Sequence, residues 1–96
     1  MKNYTVIVLD SGEGYPNLEQ ECVAKRQTVT ARSPFYAMRK AVRNDVTERA
    51  RELYEQIDKD FIEMDVNETT ETFVKSGAGV WTASRDDLTY VAIEAT

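Results

Sequence analysis

With no histidine in the chain, the carboxylates are the main candidates for acid–base or metal chemistry. The 96 residues include no histidine and one cysteine, Cys22. Serine–histidine and cysteine–histidine nucleophile systems are therefore excluded, and the usual zinc sphere cannot be completed. Asp58, Asp60, Glu63 and Asp65 are close enough in sequence to suggest calcium or magnesium. An EF-hand loop, however, needs glycine at its sixth position and glutamate at its twelfth. Counted from Asp58, those places hold Glu63 and Thr69. The expectation is a solvated acidic surface. Asp86-Asp87 has the composition of a turn and is read as one. Ser11-Gly12-Glu13-Gly14 follows a strand-like run, as a phosphate loop would, but it lacks a Gly-Lys-Ser/Thr ending and leads into Pro16. Lys75-Ser76-Gly77-Ala78-Gly79 joins two strand candidates. Both are read as turns. The expected inventory is no catalytic residue, no cofactor and no metal, hence a non-enzymatic protein.

Charge is what the chain sorts most strongly. Ala24 to Arg51 holds eight basic and two acidic residues, a net of +6; Glu52 to Thr72 holds eight acidic and one basic, a net of −7. Such a dipolar surface suits charged partners. The acidic block, with Glu52, Glu55, Asp58, Asp60, Glu63 and Asp65 as its candidate binding residues, could imitate a row of phosphates and enter a basic channel. Its plain alternative is a helix end and loop kept soluble by charge. In the basic block, Asp45–Arg49 and Arg51–Glu55 are spaced to pair along a helix. Arg39, Lys40 and Arg43 have no acidic neighbour at those spacings. With Lys25, Arg26 and Arg32 they form the alternative site, a patch for nucleic acid. A net charge of −5 and a pI of about 4.7 argue against that alternative.

The elements that must carry these residues follow from periodicity. Tyr4 to Leu9 is apolar on both alternating sets, which predicts a strand buried on both faces. Glu21 to Ala31 is a more polar strand, expected at an edge. Ser33-Pro34 is a helix start, with serine as N-cap and proline at the first helical position. Met38, Ala41, Val42, Val46, Ala50, Leu53 and Ile57 then lie on one helical face. An unbroken helix from Pro34 to Ile57 would be roughly 36 Å long. Asn44-Asp45 offers a possible break, with Glu48 completing a capping box; one long helix, bent there if at all, is preferred. Ile62, Met64 and Val66 alternate with Glu63 and Asp65, which fits a third strand or a frayed helix end. Thr70 to Val74, Val80 to Ala83 and Leu88 to Ala95 are strand candidates separated by turns. The predicted fold is α+β: a single small antiparallel sheet packed against one long helix, in β-β-α-β-β-β order, as one domain over residues 1–96.

The composition, 42% hydrophobic and 30% charged, is that of a folded domain and not of a disordered chain. One cysteine excludes an internal disulfide, and Cys22 is read as a buried, inert thiol in a reducing compartment. No apolar run approaches the roughly 20 residues of a membrane span, and no signal-peptide pattern opens the chain. The expected location is cytoplasmic, with no membrane partner.

The stretch Val23 to Val42, VAKRQTVTARSPFYAMRKAV, resembles an organisation recurring in small phage and mobile-element proteins. There a strand ends at a small polar cap and an alanine-bearing helix crosses the sheet. In size, acidity and α+β layout the chain is also similar to some anti-CRISPR proteins. The resemblance spans twenty residues and includes no diagnostic motif, so it transfers no functional residue. It implies a small inhibitor that binds a host nucleic-acid-handling or defence complex, acting by charge complementarity and steric occlusion. Direct nucleic-acid binding and a homo-oligomeric module are the alternatives.

Overall fold

The alternation of apolar and polar residues in the strands decides which side of the sheet is covered. A computed structural model of the chain describes residues 1–10, 22–53 and 56–95, with residues 22–24 described by backbone alone. The elements run β1 (Lys2–Asp10), β2 (Cys22–Ala31), α1 (Pro34–Leu53), α2 (Lys59–Thr70), β3 (Val74–Gly77), β4 (Val80–Arg85) and β5 (Leu88–Glu94). They build one antiparallel sheet in the order β2-β1-β5-β4-β3. Tyr4, Val6 and Val8 of β1, Val29 and Ala31 of β2, Ala83 of β4, and Tyr90 and Ala92 of β5 point to one side and are buried. Both helices pack there. Ala37, Met38, Ala41 and Val42 of α1, with Ile62 and Val66 of α2, complete the core. The other side of β1, Thr5, Ile7 and Leu9, is only half-buried. The expectation of burial on both faces is therefore corrected, because both described helices pack on the first face.

Ser33 opens α1 as its composition predicts. Its hydroxyl accepts from the Tyr36 amide at 3.3 Å, and its carbonyl accepts from Ala37 at 3.0 Å. The helix runs through Asn44-Asp45 without a break. It does not reach Ile57, however. The prediction of one long helix and of β-β-α-β-β-β order is corrected to two helices and β-β-α-α-β-β-β. Asp58 starts the second helix: its carboxylate accepts from the Asp60 amide at 2.9 Å, and its own backbone is extended, as an N-cap requires. Ile62 to Val66, read as a third strand or a frayed helix end, is thus part of a separate helix. Ile62 and Val66, four residues apart, are buried, whereas Met64 between them is 53% exposed. An unbroken rod of roughly 36 Å would run almost the full 38 Å of the domain's longest dimension; folding back lets Ile62 and Val66 join the core instead.

The last three strands form the expected meander, but the first of them is Val74–Gly77 and not Thr70 to Val74, because Thr70 ends α2 and the turn is confined to Ala78-Gly79. The Ala78-Gly79 turn joins β3 to β4, with Gly79 at φ +70. Asp86-Asp87 joins β4 to β5, with Asp86 at φ +53. Thr72 ties the end of α2 to the sheet, accepting from the Ser84 amide at 2.7 Å. The glycine pair around Gly12 and Gly14, and Glu55, lie outside the described residues, as does the thiol of Cys22.

Candidate functional site

Two regions of the helical layer collect functional side chains. The first is a polar cluster inside the core. Asp45 sits on the inner face of α1 and is 1% exposed. Its Oδ2 accepts from the Tyr90 hydroxyl on β5 at 2.6 Å and from Arg49 Nε, one helical turn on, at 2.9 Å. Its Oδ1 has no hydrogen-bond donor, but the Lys25 ammonium of β2 lies 3.4 Å away and also pairs with Glu48 at 2.7 Å. Burial, the hydrogen bond to Asp45 and the charge of Asp45 all push the Tyr90 hydroxyl well above its ordinary range. Burial pulls Lys25 down, but Glu48 and Asp45 outweigh it and leave the ammonium raised. Every charge in this cluster faces an opposite one. Together they fasten α1 to β2 and β5, and the cluster offers no unoccupied reactive group.

The second region is a cavity of about 570 Å³ between the end of α1, the start of α2 and the β4–β5 end of the sheet. Val46, Ala50, Ile57, Ile62 and Leu88 supply apolar walls. Leu53 and Phe61 also line it, yet are 73% and 64% exposed, so they stand at its mouth. Arg49 and Arg85 reach the cavity, but each is answered by a carboxylate: Arg49 by Asp45, and Arg85 by Asp65, with Glu68 at 3.8 Å. The volume falls within the range of ligand pockets. Its balanced charge favours an apolar group over an anion.

The predicted acidic residues divide around this cavity. Glu63 forms a two-pronged pair with Arg43, with contacts from 3.0 Å. Asp65 holds Arg85. Asp58 caps α2. Glu52 and Asp60 are exposed and make no ion pair with any described residue. Among the described residues, no three histidine, cysteine, aspartate or glutamate side chains converge as metal ligands would.

The alternative basic set is dispersed. Lys25 faces inward to Asp45, and Arg43 is held by Glu63. Arg39 bonds Asn67 and Thr70 on α2 at 3.0 and 3.1 Å. Lys40 donates to the Thr30 carbonyl at 3.4 Å. Arg26 pairs in register with Ile7, whose side chain lies on the sheet face away from the helices. Arg32 lies over the exposed Tyr36 ring, 5.3 Å from its centre, and Arg39 lies 6.0 Å from Phe35. Only Arg32, Arg39 and Lys40 gather, around the start of α1.

Neither Asp45 as a buried anchor nor Leu53, Phe61 and Met64 as exposed apolar groups emerged from the sequence. For Asp45 there was a signal, an aspartate on the apolar stripe between Val42 and Val46. For Phe61 and Met64 there was none until α2 is known to be a helix. Comparison with protein-family models, with characterised proteins and with solved structures finds no match to this chain. Among the described residues, no helix is long and apolar enough to cross a membrane.

Proposed function

We propose that the protein is a non-enzymatic binding module that docks on the basic surface of a partner protein. In its concrete form it is a phage-type, anti-CRISPR-like inhibitor that occludes a host nucleic-acid-handling or defence complex. One observation carries the reading: Leu53, Phe61 and Met64 are more than half exposed, beside the carboxylates of Glu52 and Asp60, which are exposed and form no ion pair among the described residues. An apolar anchor within a charged rim is how protein interfaces concentrate affinity. The carboxylates steer the encounter with a basic surface, and the cavity behind Phe61 and Leu53 receives an apolar side chain of the partner.

The test uses capture from a bacterial lysate by the wild-type chain, Phe61→Ala, and the double reversal Glu52→Lys, Asp60→Lys. All three residues are exposed, whereas Glu63 and Asp65 hold arginines. A protein retained by the wild type and lost from both folded variants supports the reading. Identical retention by all three removes it.

The exposed Phe35 and Tyr36, flanked by Arg32 and Arg39, favour a second reading. Aromatic rings beside guanidinium groups are the parts of a stacking platform for single-stranded nucleic acid. That reading requires a mobility shift that weakens steeply with salt. No shift at low salt disposes of it.

A further inference from the structure

The sheet face opposite the helices has a composition unlike the rest of the chain. Following the registers across the sheet, one row reads Val74, Thr82, Val91, Ile7 and Arg26. The next reads Val80, Ile93, Thr5 and Thr28. The aliphatic side chains adjoin one another: Val80 is paired with Ile93, Ile93 is two residues from Val91, and Val91 is paired with Ile7. Val74 is 55% and Ile93 38% exposed. Among the described residues of these rows there is no carboxylate and one cation, Arg26, although 30% of the chain is charged.

We propose that this face is the contact surface of a homodimer, in which two copies pack sheet to sheet about a twofold axis. Three arguments select a second copy as the occupant. The first is electrostatic. The exposed carboxylates of Glu52, Asp60, Glu63, Glu68 and Glu71 belong to the helices or their ends. Face-to-face packing keeps the two acidic layers on opposite outer sides, separated by more than the roughly 10 Å between packed sheets and so beyond the Debye length of about 8 Å. The second is self-complementarity. A twofold contact sets the same patch against itself, and β-branched side chains on a sheet face with a single charge at its edge strand interdigitate in aligned sheet packing. The third is area. Five strands about 4.8 Å apart and six residues of about 3.3 Å give roughly 24 by 20 Å, near 500 Å² per copy. That places the interface at the lower limit for specific association. Nucleic acid is a poor occupant, since the rows offer no aromatic ring for a base to stack on and a single cation.

The helical layer remains open in this dimer, so self-association and partner docking are separable. The test is sedimentation of the full chain across roughly 5 to 500 µM, at low and at 0.5 M salt. The expected result is a reversible dimer that salt does not weaken. Ile93→Lys should weaken it by about tenfold or more by burying two like charges near the axis. Val74→Lys, at a more exposed site on the edge strand, tests the same face if Ile93→Lys does not fold. A monomer throughout overturns the proposal. So does a dimer dissolved by 0.5 M salt, which would place the contact on the charged blocks, or a dimer that folded lysine variants leave unchanged.

Discussion

The Tyr90 hydroxyl donates a 2.6 Å hydrogen bond to Asp45 Oδ2 across the interface between β5 and α1. The two residues are 45 apart in sequence, and both are buried. Asp45 is also held by Arg49 and faced by Lys25, so one carboxylate organises three elements. Removing it leaves the Arg49 guanidinium and the Tyr90 hydroxyl without their acceptor and Lys25 with Glu48 alone. Asp45→Ala should therefore cost about 3–5 kcal/mol, the range for breaking a buried ion pair. Tyr90→Phe loses one hydrogen bond to a charged group and should cost about 1.5–3 kcal/mol. Urea unfolding of both single variants and the double variant measures the coupling. A double variant whose loss equals the sum of the two single losses would show that the side chains act independently; a smaller loss measures their coupling.

The same contact sets a pH dependence. The folded state keeps the Tyr90 proton at pH values where an unfolded tyrosine, titrating near its ordinary 10.0, has lost it. Above that value the folded state binds more protons than the unfolded one, so stability falls as pH rises. Lys25, raised above its ordinary 10.5, acts in the same direction. Stability should be level below pH 10 with respect to these groups and decline above it. Tyr90→Phe should flatten part of that decline. An unchanged slope in that variant would assign the alkaline loss to other groups.

The sequence was most legible where structure is local. Ser33-Pro34 marks a helix start because the cap and the proline act on adjacent backbone, and the Asp86-Asp87 turn is legible for the same reason. The second helix was hidden by an ambiguity of period. Ile62 and Val66 are four apart, which fits both a strand face and a helix face, and only Met64 could decide between them. Asp58 looked like part of an acidic run because capping is visible only once the helix is known. Charge pairing was legible within α1, where Asp45 and Arg49 are one turn apart. It was hidden between elements: Glu48 turns to Lys25, and Arg43 to Glu63, because the registers of β2 and α2 bring them together.

Helical packing of Ile62 gives a direct check on α2. Ile62→Ala should cost about 2–5 kcal/mol by leaving a cavity under the helix. Met64→Ala, at an exposed helical site, should change stability by less than about 0.5 kcal/mol. If the segment were a strand with Ile62, Met64 and Val66 on one buried face, both would be costly. Denaturant midpoints at constant m-value separate the two outcomes.

The hairpin turns carry a further, opposite pair of effects. Gly79 and Asp86 both have φ in the left-handed region, at +70 and +53. Gly79 suits it because glycine has no Cβ to clash there. A Cβ built on Gly79 would meet nothing closer than Glu94 Cβ at 3.9 Å, so Gly79→Ala meets no steric block. Its cost is conformational, about 1–2 kcal/mol. Asp86 already bears part of that strain, since aspartate tolerates the region better than most residues but less well than glycine. Asp86→Gly relieves the strain but gives the unfolded chain more freedom, and the two effects oppose each other. The expected balance is a gain of no more than about 1 kcal/mol, against a clear loss for Gly79→Ala. Thermal unfolding of the two variants checks the sign. A loss in both would mean that the Asp86 side chain holds the β4–β5 turn by contacts that outweigh its backbone strain.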